Sequence, residues 1–294
     1  MKLRPLSRRT TLATAVVCSA LVGGGVAYAA TAEPAIKTFT PRSADQVTNI
    51  DVLRQQIRNY YGDPLGTGTF APDGNYAKEA ASVAKAGQRW LDGRHREDSD
   101  RSRDRDREHG HGHGSTGRKA IVLDVDDTTL TTWNYEIASN WAYNPTTNAE
   151  YVNGQKFPAT PGMVAMVDRA AKEGYAIFFL TGRPSSQEAA TLGNLTSDGV
   201  GVDAGYPAPT TLPNGEDGLF TKPDVSAYPD YLQKACAADP GGKCTTIHYK
   251  SATRAHIESL GYDIVANFGD QYSDLKGGYA DRTFKVPNPN YYLP

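Results

Sequence analysis

Short apolar runs that alternate with amphipathic segments constrain the fold of this 294-residue chain more than any other feature. The runs are continuously apolar, which is typical of strands buried on both faces of a parallel sheet. Parallel strands need crossover connections, so helices must cover both faces. The sequence therefore predicts a doubly wound α/β fold from Arg118 to Pro294. The runs span residues 119–124, 175–180, 219–221, 262–268 and 283–286.

Three of these runs end in clusters of polar residues. The first leads into Asp124–Thr128, the second into Thr181–Arg183, and the fourth into Gly269 and Asp270, with Asp274 four residues further on. In an open parallel sheet, ligands bind in the crevice outside the carboxyl ends of the strands. The three clusters are therefore expected to meet in one crevice.

The crevice would hold an unusual number of acids, namely Asp124, Asp126, Asp270 and Asp274. Carboxylates this close together raise one another's pKa or require a cation. A set of oxygen ligands without His or Cys favours Mg²⁺ over Zn²⁺. A bound Mg²⁺ would attract a phosphate group that bare carboxylates would repel. The residues thus predict a magnesium site that handles phosphate.

Several motifs carry a family resemblance. Asp124–Leu130 reads Asp-Val-Asp-Asp-Thr-Thr-Leu, and it is followed by Thr181–Arg183, by Lys250 and by the acidic stretch Gly269–Leu275. This set resembles the haloacid dehalogenase (HAD) superfamily, in its secreted acid phosphatase branch (class B/C-like, subfamily IIIB). The ending Phe284–Pro289 resembles the part of that branch that includes plant vegetative storage proteins. The resemblance implies a Rossmann-like sheet, with a small cap after the first strand and N-terminal helices packed on it.

The resemblance also implies two catalytic carboxylates. Asp124 would attack phosphorus and form an aspartyl-phosphate, and Asp126 would protonate the leaving alcohol and then deprotonate water. Asp127 is an alternative acid, but alternation along an extended segment places Asp124 and Asp126 on the same side. Mg²⁺ would be held by Asp124, by the backbone carbonyl of Asp126 and by Asp270.

By the same resemblance, Thr181, the backbone N–H groups around Gly182 and Lys250 would bind the phosphoryl group. Asp274 would orient Lys250 or a metal-bound water. Lys222 is a rival for the phosphate-binding lysine. Two roles stay open for Arg183, a substrate contact or a supporting ion pair.

The expected cap, residues 131–159, is rich in aromatic side chains. They could stack on a nucleoside base or an aryl leaving group, or they could form the apolar underside of the cap. Trp133 and Tyr135 follow the first motif closely and are expected nearest to the site.

Upstream of the sheet, residues 30–91 contain two amphipathic helical patterns that are expected to pack on the larger body. Residues 92–117 then hold six arginines, seven acids and four histidines. Because this insert has no apolar side chains to bury, we expect it to be a disordered linker. His109, His111 and His113 alternate with glycine, which would suit either a transition-metal ligand set or a solvated spacer.

The first 29 residues have the anatomy of a secretory signal. Cations within the first nine residues precede an apolar stretch over 12–26, and Ala27–Ala29 supplies a small-x-small cleavage pattern. Ser7–Arg9 is compatible with the twin-arginine route, so the Sec and twin-arginine routes both stay open. Outside the cytosol, Cys236 and Cys244 are expected to form a disulfide.

Together these features predict a secreted, Mg²⁺-dependent acid phosphatase that acts on small phosphomonoesters. The alternatives are a 5′-nucleotidase-type enzyme and a catalytically silent storage or binding protein of the same fold. A further alternative is a metal-binding or adhesive surface protein that acts through the charged insert. A formal net charge of −2 offers no basic surface for a nucleic-acid polymer. After the signal segment, the sequence has no further apolar stretch long enough to predict a stable membrane anchor. The oligomeric state is left open.

Overall fold

A single parallel sheet organises the fold of this computed structural model, which describes residues 40–105, 117–196 and 201–293. Over these residues its strand order is β3-β2-β1-β4-β5, and all neighbouring strands are parallel. The predicted fold class is therefore confirmed. The strands are β1 (Arg118–Leu123), β2 (Ala176–Pro184), β3 (Leu219–Lys222), β4 (Tyr262–Gly269) and β5 (Thr283–Lys285).

Helices connect and cover the strands. Short 3₁₀ turns lie at Ala44–Gln46, Ser185–Gln187, Val225–Ala227 and Pro240–Gly242. The α-helices are α1 (Ile50–Tyr61), α2 (Asn75–Arg105), α3 (Trp133–Ser139), α4 (Pro145–Asn153), α5 (Met163–Lys172), α6 (Glu188–Thr196), α7 (Asp230–Ala235), α8 (Thr246–Ser259) and α9 (Tyr272–Leu275).

The core has two layers because successive side chains of a strand point to opposite faces. On β1, Ile121 and Leu123 belong to one buried cluster and Val122 to the other. The first cluster includes α2 and α5, and the second includes α8, which contributes Ile257. Burial on both faces explains why the strands are continuously apolar in the sequence.

Local capping sets where α8 begins. The Thr245 side chain accepts a hydrogen bond from the backbone N–H of His248 at 3.1 Å, which caps the first turn of α8. Lys250 therefore lies inside the helix. This fixes the base of its side chain on a rigid element.

In the structure, α2 continues to Arg105, through the first half of the segment 92–117 that the sequence predicts to be disordered. The helix is fastened where the insert begins: Trp90 Nε1 donates to the Val265 carbonyl at 2.9 Å, and Arg94 pairs with Asp281 at 2.5 Å. Once a helix is anchored, each further residue adds a hydrogen bond, and Arg and Glu are good helix formers. Residues 106–116, with the histidines at 109, 111 and 113, lie outside the described residues.

The N-terminal helices pack on the body less completely than expected. α2 buries its apolar face, but on α1 burial is confined to the second half, where Tyr61 is fully buried. Val47, Ile50 and Leu53, which belong to the same pattern, are exposed. The spacing of apolar residues predicted α1, but it could not show which part of α1 packs against the rest of the protein.

Three remaining expectations concern export, membranes and the cysteines. The signal segment, residues 1–29, lies outside the described residues. Among the helices that the structure describes, none combines the length and apolarity needed to cross a membrane. Cys236 and Cys244 form a disulfide that closes the turn ahead of α8.

Candidate active site

The carboxyl ends of three neighbouring strands bring the predicted clusters together. Leu123, the last residue of β1, pairs with Phe179 on β2 and with Phe268 on β4. The acids that follow β1 and β4 therefore start from the same edge of the sheet. One carboxylate oxygen from each of Asp124, Asp270 and Asp274 lies within 4.8 Å of the others, and all three residues are buried.

Asp274 enters this cluster because of how the chain leaves β4. A Cβ atom on Gly269 would overlap with that of Asp274, so only glycine permits this close approach. Asp274 Oδ2 then accepts from the Gln271 backbone N–H at 2.8 Å and caps α9. The sequence suggested Asp274 as an orienting residue, and the geometry makes it a possible metal ligand as well.

Lys250 supplies the positive charge of the site. Its ammonium donates to Asp274 Oδ1 at 2.5 Å and also to Asp124 Oδ1, and the residue is 3% exposed. Burial works against the charged form, but Asp124 and Asp274 outweigh it and raise the pKa of Lys250 above its usual value. Lys222, the rival, donates instead to the Cys244 carbonyl at 3.0 Å. The geometry thus favours Lys250 as the lysine of the site.

Among the described residues, the three carboxylates of the cluster outnumber the one ammonium group that forms salt bridges with them. Burial, together with the charges of Asp274 and Asp127, raises the pKa of Asp270 to about 8. Burial also raises the pKa of Asp124; Lys250 opposes that increase, and Asp274 and Asp270 add to it. Burial is the largest cause of both increases, and the neighbouring carboxylates add to it. Three buried carboxylates with oxygens within 4.8 Å of one another fit a hard divalent cation such as Mg²⁺.

Asp126 lies in a different environment, and its carboxylate is outside the three-acid cluster. It forms a two-point ion pair with Arg183, with Nε–Oδ2 at 3.0 Å and Nη2–Oδ1 at 2.6 Å. The Arg183 side chain is buried and also donates to Thr191 Oγ1 at 3.0 Å, whereas the side chain of Asp126 is 31% exposed. The sequence left two roles open for Arg183, a substrate contact or a supporting ion pair. The structure contains the ion pair.

Asp127 anchors the loop. The residue is fully buried, and its carboxylate accepts from the Thr132 backbone N–H at 3.0 Å and from the Thr132 hydroxyl at 2.6 Å. Its backbone has φ = 51°, in the left-handed region that tight turns use. Burial raises the pKa of Asp127 to about 7, with the Thr132 hydrogen bonds opposing. These contacts are those of a structural residue.

The phosphate-binding candidates on β2 differ in exposure. Thr181 is fully buried, and its hydroxyl oxygen accepts from the Arg183 backbone N–H at 3.1 Å. Gly182 is exposed, and no heavy atom outside its chain neighbours lies within 4 Å of where its Cβ would be. The backbone at Gly182 is therefore open to an approaching anion.

Trp133 and Tyr135 do not face the site openly. Trp133 is fully buried, stacks on Tyr61 with ring centroids 4.0 Å apart, and donates Nε1 to Asp63 at 3.0 Å. Tyr135 is also buried, and its hydroxyl donates to the Asn144 carbonyl at 3.0 Å. Trp133 thus joins the cap segment to the end of α1, Tyr135 packs within the segment, and neither buried ring has a free surface for a ligand.

The exposed aromatic of this segment is Tyr143, at 73%. Burial of its hydroxyl and the charges of Tyr135 and Asp126 raise its pKa. Burial and the Asp126 charge also raise the pKa of Glu136, to about 7. Neither residue was predicted at the site, because the sequence does not reveal which cap residues come within electrostatic reach of Asp126.

Two amides that sequence reasoning missed also reach the site. Asp270 Oδ2 accepts from Gln271 Nε2 at 2.6 Å and from Asn288 Nδ2 at 2.7 Å. Gln271 falls within the acidic motif, and Asn288 falls within the Pro-Asn-Pro of the C-terminal resemblance. The motifs therefore carried a signal, but nothing in them pointed to a contact with Asp270.

Comparisons with known proteins agree with this geometry. Residues 95–294 match the family described as HAD superfamily, subfamily IIIB (Acid phosphatase). The chain is 30% identical over 183 residues to the stem 28 kDa glycoprotein of Glycine max, an alignment that covers 60% of this chain and 61% of that protein. It is 29% identical over 181 residues to acid phosphatase 1 of Solanum lycopersicum, covering 60% of each.

Vegetative storage protein 1 of Arabidopsis thaliana is 27% identical over 177 residues, which cover 59% of this chain and 55% of that protein. The matches thus span roughly three-fifths of the length of these curated relatives. Among solved structures, the class C acid phosphatase from Bacillus anthracis has the same fold, with a TM-score of 0.52 at 18% identity, covering 82% of this chain and 86% of that one.

The family match extends from the end of α2 through all five described strands and includes every residue of the three-acid cluster. The resemblance inferred from the motifs is therefore confirmed. This chain belongs to the HAD superfamily, subfamily IIIB, the acid phosphatases.

Proposed function

We propose that this protein hydrolyses small-molecule phosphate monoesters, with Asp124 as the nucleophile. One observation carries the proposal: Asp124 meets Asp270 and Asp274 within 4.8 Å while the Lys250 ammonium contacts both Asp124 and Asp274. Such an arrangement can hold a cation and a phosphoryl group against one reactive carboxylate. The family assignment supports the same reaction class.

In the first step, an oxygen of Asp124 attacks phosphorus and the bond from phosphorus to the ester oxygen breaks. The leaving oxygen takes a proton from Asp126, whose exposed side can face the leaving group. Lys250, the Thr181 hydroxyl and the open backbone at Gly182 would bind the transferring oxygens. The products are the free alcohol and an aspartyl-phosphate on Asp124.

In the second step, Asp126 accepts a proton from water as the water oxygen attacks phosphorus. The bond between phosphorus and the Asp124 oxygen breaks, which releases inorganic phosphate and restores both carboxyl groups. Arg183 holds Asp126 at two points, so the carboxylate can return to one orientation between steps. Asp126 thus serves as acid and then as base.

Asp124, Asp270 and the backbone carbonyl of Asp126 would hold Mg²⁺, with Asp274 beside them. When bound there, the cation supplies charge stabilisation to the phosphoryl oxygens. The chemistry of the donors supports this choice, since the cluster consists of carboxylates alone. We also propose that the protein is secreted, on the strength of its signal-like first 29 residues and its disulfide.

A preference for 5′-nucleotides is a second candidate function. It is favoured by Tyr143 of the cap segment, whose ring is exposed and could stack on a base, and whose pKa is raised in part by the charge of Asp126. The non-catalytic storage alternative is disfavoured because Asp124 and Asp126 are both present. Comparing nucleoside monophosphates with sugar phosphates as substrates separates the first two possibilities.

The test is phosphate release from an aryl phosphate between pH 4 and pH 8, with Mg²⁺ and with EDTA. Activity should require the metal, and Asp124→Asn should lower kcat by at least about 10³-fold, because it removes the nucleophile. Asp168→Asn, a change to an exposed aspartate on α5, is the matched control and should leave kcat unchanged. Full turnover by Asp124→Asn would refute the nucleophile assignment.

A further inference from the structure

The C-terminal strap, residues 286–293, contacts Asp270 of the acid cluster through Asn288. We propose that Asn288 in this strap is a positioning residue that orients Asp270 toward a divalent cation. This rests on the proposed function only in that Asp270 is taken as a metal ligand. In this proposal, the C-terminal strap helps to set the metal affinity of the site.

Hydrogen bonds hold the strap at both ends and in the middle. At its start, the Val286 backbone N–H donates to the Gly269 carbonyl at 2.9 Å, and Val286 is fully buried. In the middle, Asn290 Nδ2 donates to the Tyr61 hydroxyl at 2.9 Å. Near its end, the Leu293 backbone N–H donates to Gln271 Oε1 at 3.0 Å. Asn288 therefore lies on a segment with a defined path.

The amide of Asn288 has only one orientation that satisfies its surroundings. Its Oδ1 accepts from the Asn290 backbone N–H at 2.8 Å, which turns the Nδ2 donor toward the acids. That donor is 2.7 Å from Asp270 Oδ2 and 3.5 Å from Asp127 Oδ2. A neutral donor therefore faces two buried carboxyl groups.

The two oxygens of Asp270 have different surroundings. Oδ2 accepts from both Asn288 and Gln271, at 2.7 and 2.6 Å, which fully occupies it. Oδ1 has one weaker partner, the Thr128 hydroxyl at 3.3 Å. The amide pair thus holds the carboxylate by one oxygen and leaves Oδ1 as the ligand for a cation. Partners of this kind orient metal ligands and commonly affect affinity by 10- to 100-fold.

Asn288 is held there mainly by its hydrogen bonds. A cavity of about 580 Å³ lies against the strap and is lined by Asp270, Asn288 and Asn290 as well as by Glu79 and Lys285. Close packing therefore does not fix the Asn288 amide from every side. Removing the amide should free Asp270 without collapsing the core.

The experiment measures metal binding directly, without substrate. Mn²⁺ is titrated into metal-free protein, and free Mn²⁺ is followed by electron paramagnetic resonance. Asn288→Ala and Asn288→Leu should each weaken binding by about 10- to 100-fold. The leucine variant keeps the number and branching of the side-chain heavy atoms, so it covers the case in which the alanine variant fails to fold. Melting curves in EDTA report whether each variant is folded.

Asn290→Ala is the matched control. It removes the contact with Tyr61, but it keeps the backbone N–H that orients Asn288, so Mn²⁺ affinity should stay within about threefold of wild type. Equal Mn²⁺ affinity in wild type and in a folded Asn288 variant would overturn the positioning role. Absence of Mn²⁺ binding by the wild type would instead refute the proposed metal site, so the two failures are distinguishable.

Discussion

At the scale of single residues, two carboxylates that are two positions apart have acquired different properties. Asp124 lies buried among other acids and contacts Lys250, whereas Asp126 is partly exposed and pairs with Arg183. The sequence could supply the residue types and, by resemblance, the division of roles. It could not supply the Arg183 partner, because 57 residues separate the pair along the chain.

Replacing Arg183 by lysine tests what that ion pair does. A lysine cannot reproduce the planar two-point contact, so Asp126 should lose its fixed orientation. We expect kcat to fall by about 10- to 100-fold, because small misplacements of a catalytic group cost that much, while Mn²⁺ affinity stays unchanged. The kcat of Arg169→Lys, in the exposed ion pair on α5, should match wild type. Unchanged kcat in Arg183→Lys would show that Asp126 needs no such support.

At the scale of elements, strands were easier to predict than helix ends. β1, β2 and β4 are buried on both faces, so their apolar runs are uninterrupted and their ends coincide with the polar motifs. Helix boundaries depend on contacts remote in sequence. α2 extends into a charged segment because Trp90 and Arg94 fasten it to the body, and composition alone suggested disorder there.

Two glycines of α2 provide a matched test of its packing. A Cβ on Gly87 would lie 2.6 Å from the Phe268 ring, whereas one on Gly93 has nothing within 4 Å. Gly87→Ala should lower the free energy of unfolding by roughly 1–3 kcal/mol through overpacking. Gly93→Ala should raise it by about 0.5–1 kcal/mol, because alanine is the better helix former. Denaturant titration measures both, and equal effects would contradict this packing of α2 on β4.

At the scale of the whole molecule, the acid cluster couples stability to pH and to metal. In the metal-free protein, burial and neighbouring charges raise the pKa of Asp127 and Glu136 to about 7 and that of Asp270 to about 8. Unfolded carboxyls titrate near pH 4, so between about pH 4 and pH 8 the folded state binds more protons. The stability of the metal-free protein should therefore fall as the pH rises through that range.

Thermal melting across pH tests this coupling. In EDTA, the Tm should fall by roughly 5 °C or more between pH 5 and pH 8, because the buried acids lose protons in place. Excess Mg²⁺ should raise the Tm more at pH 8 than at pH 5, because at pH 5 the cation must displace protons from Asp124 and Asp270. The pKa values of Asp63 and Asp239 are lowered, so the stability that these two carboxylates contribute is lost only at more acidic pH. A Tm in EDTA that rises over this range would contradict the account.

Whether Asp124 and Asp270 hold a metal ion is tested most directly by an anomalous diffraction map from crystals equilibrated with Mn²⁺. A peak should lie in contact with the carboxylates of Asp124 and Asp270, at the carboxyl ends of β1 and β4. Full Mn²⁺ occupancy elsewhere in the protein, with no peak between these two carboxylates, would contradict this prediction.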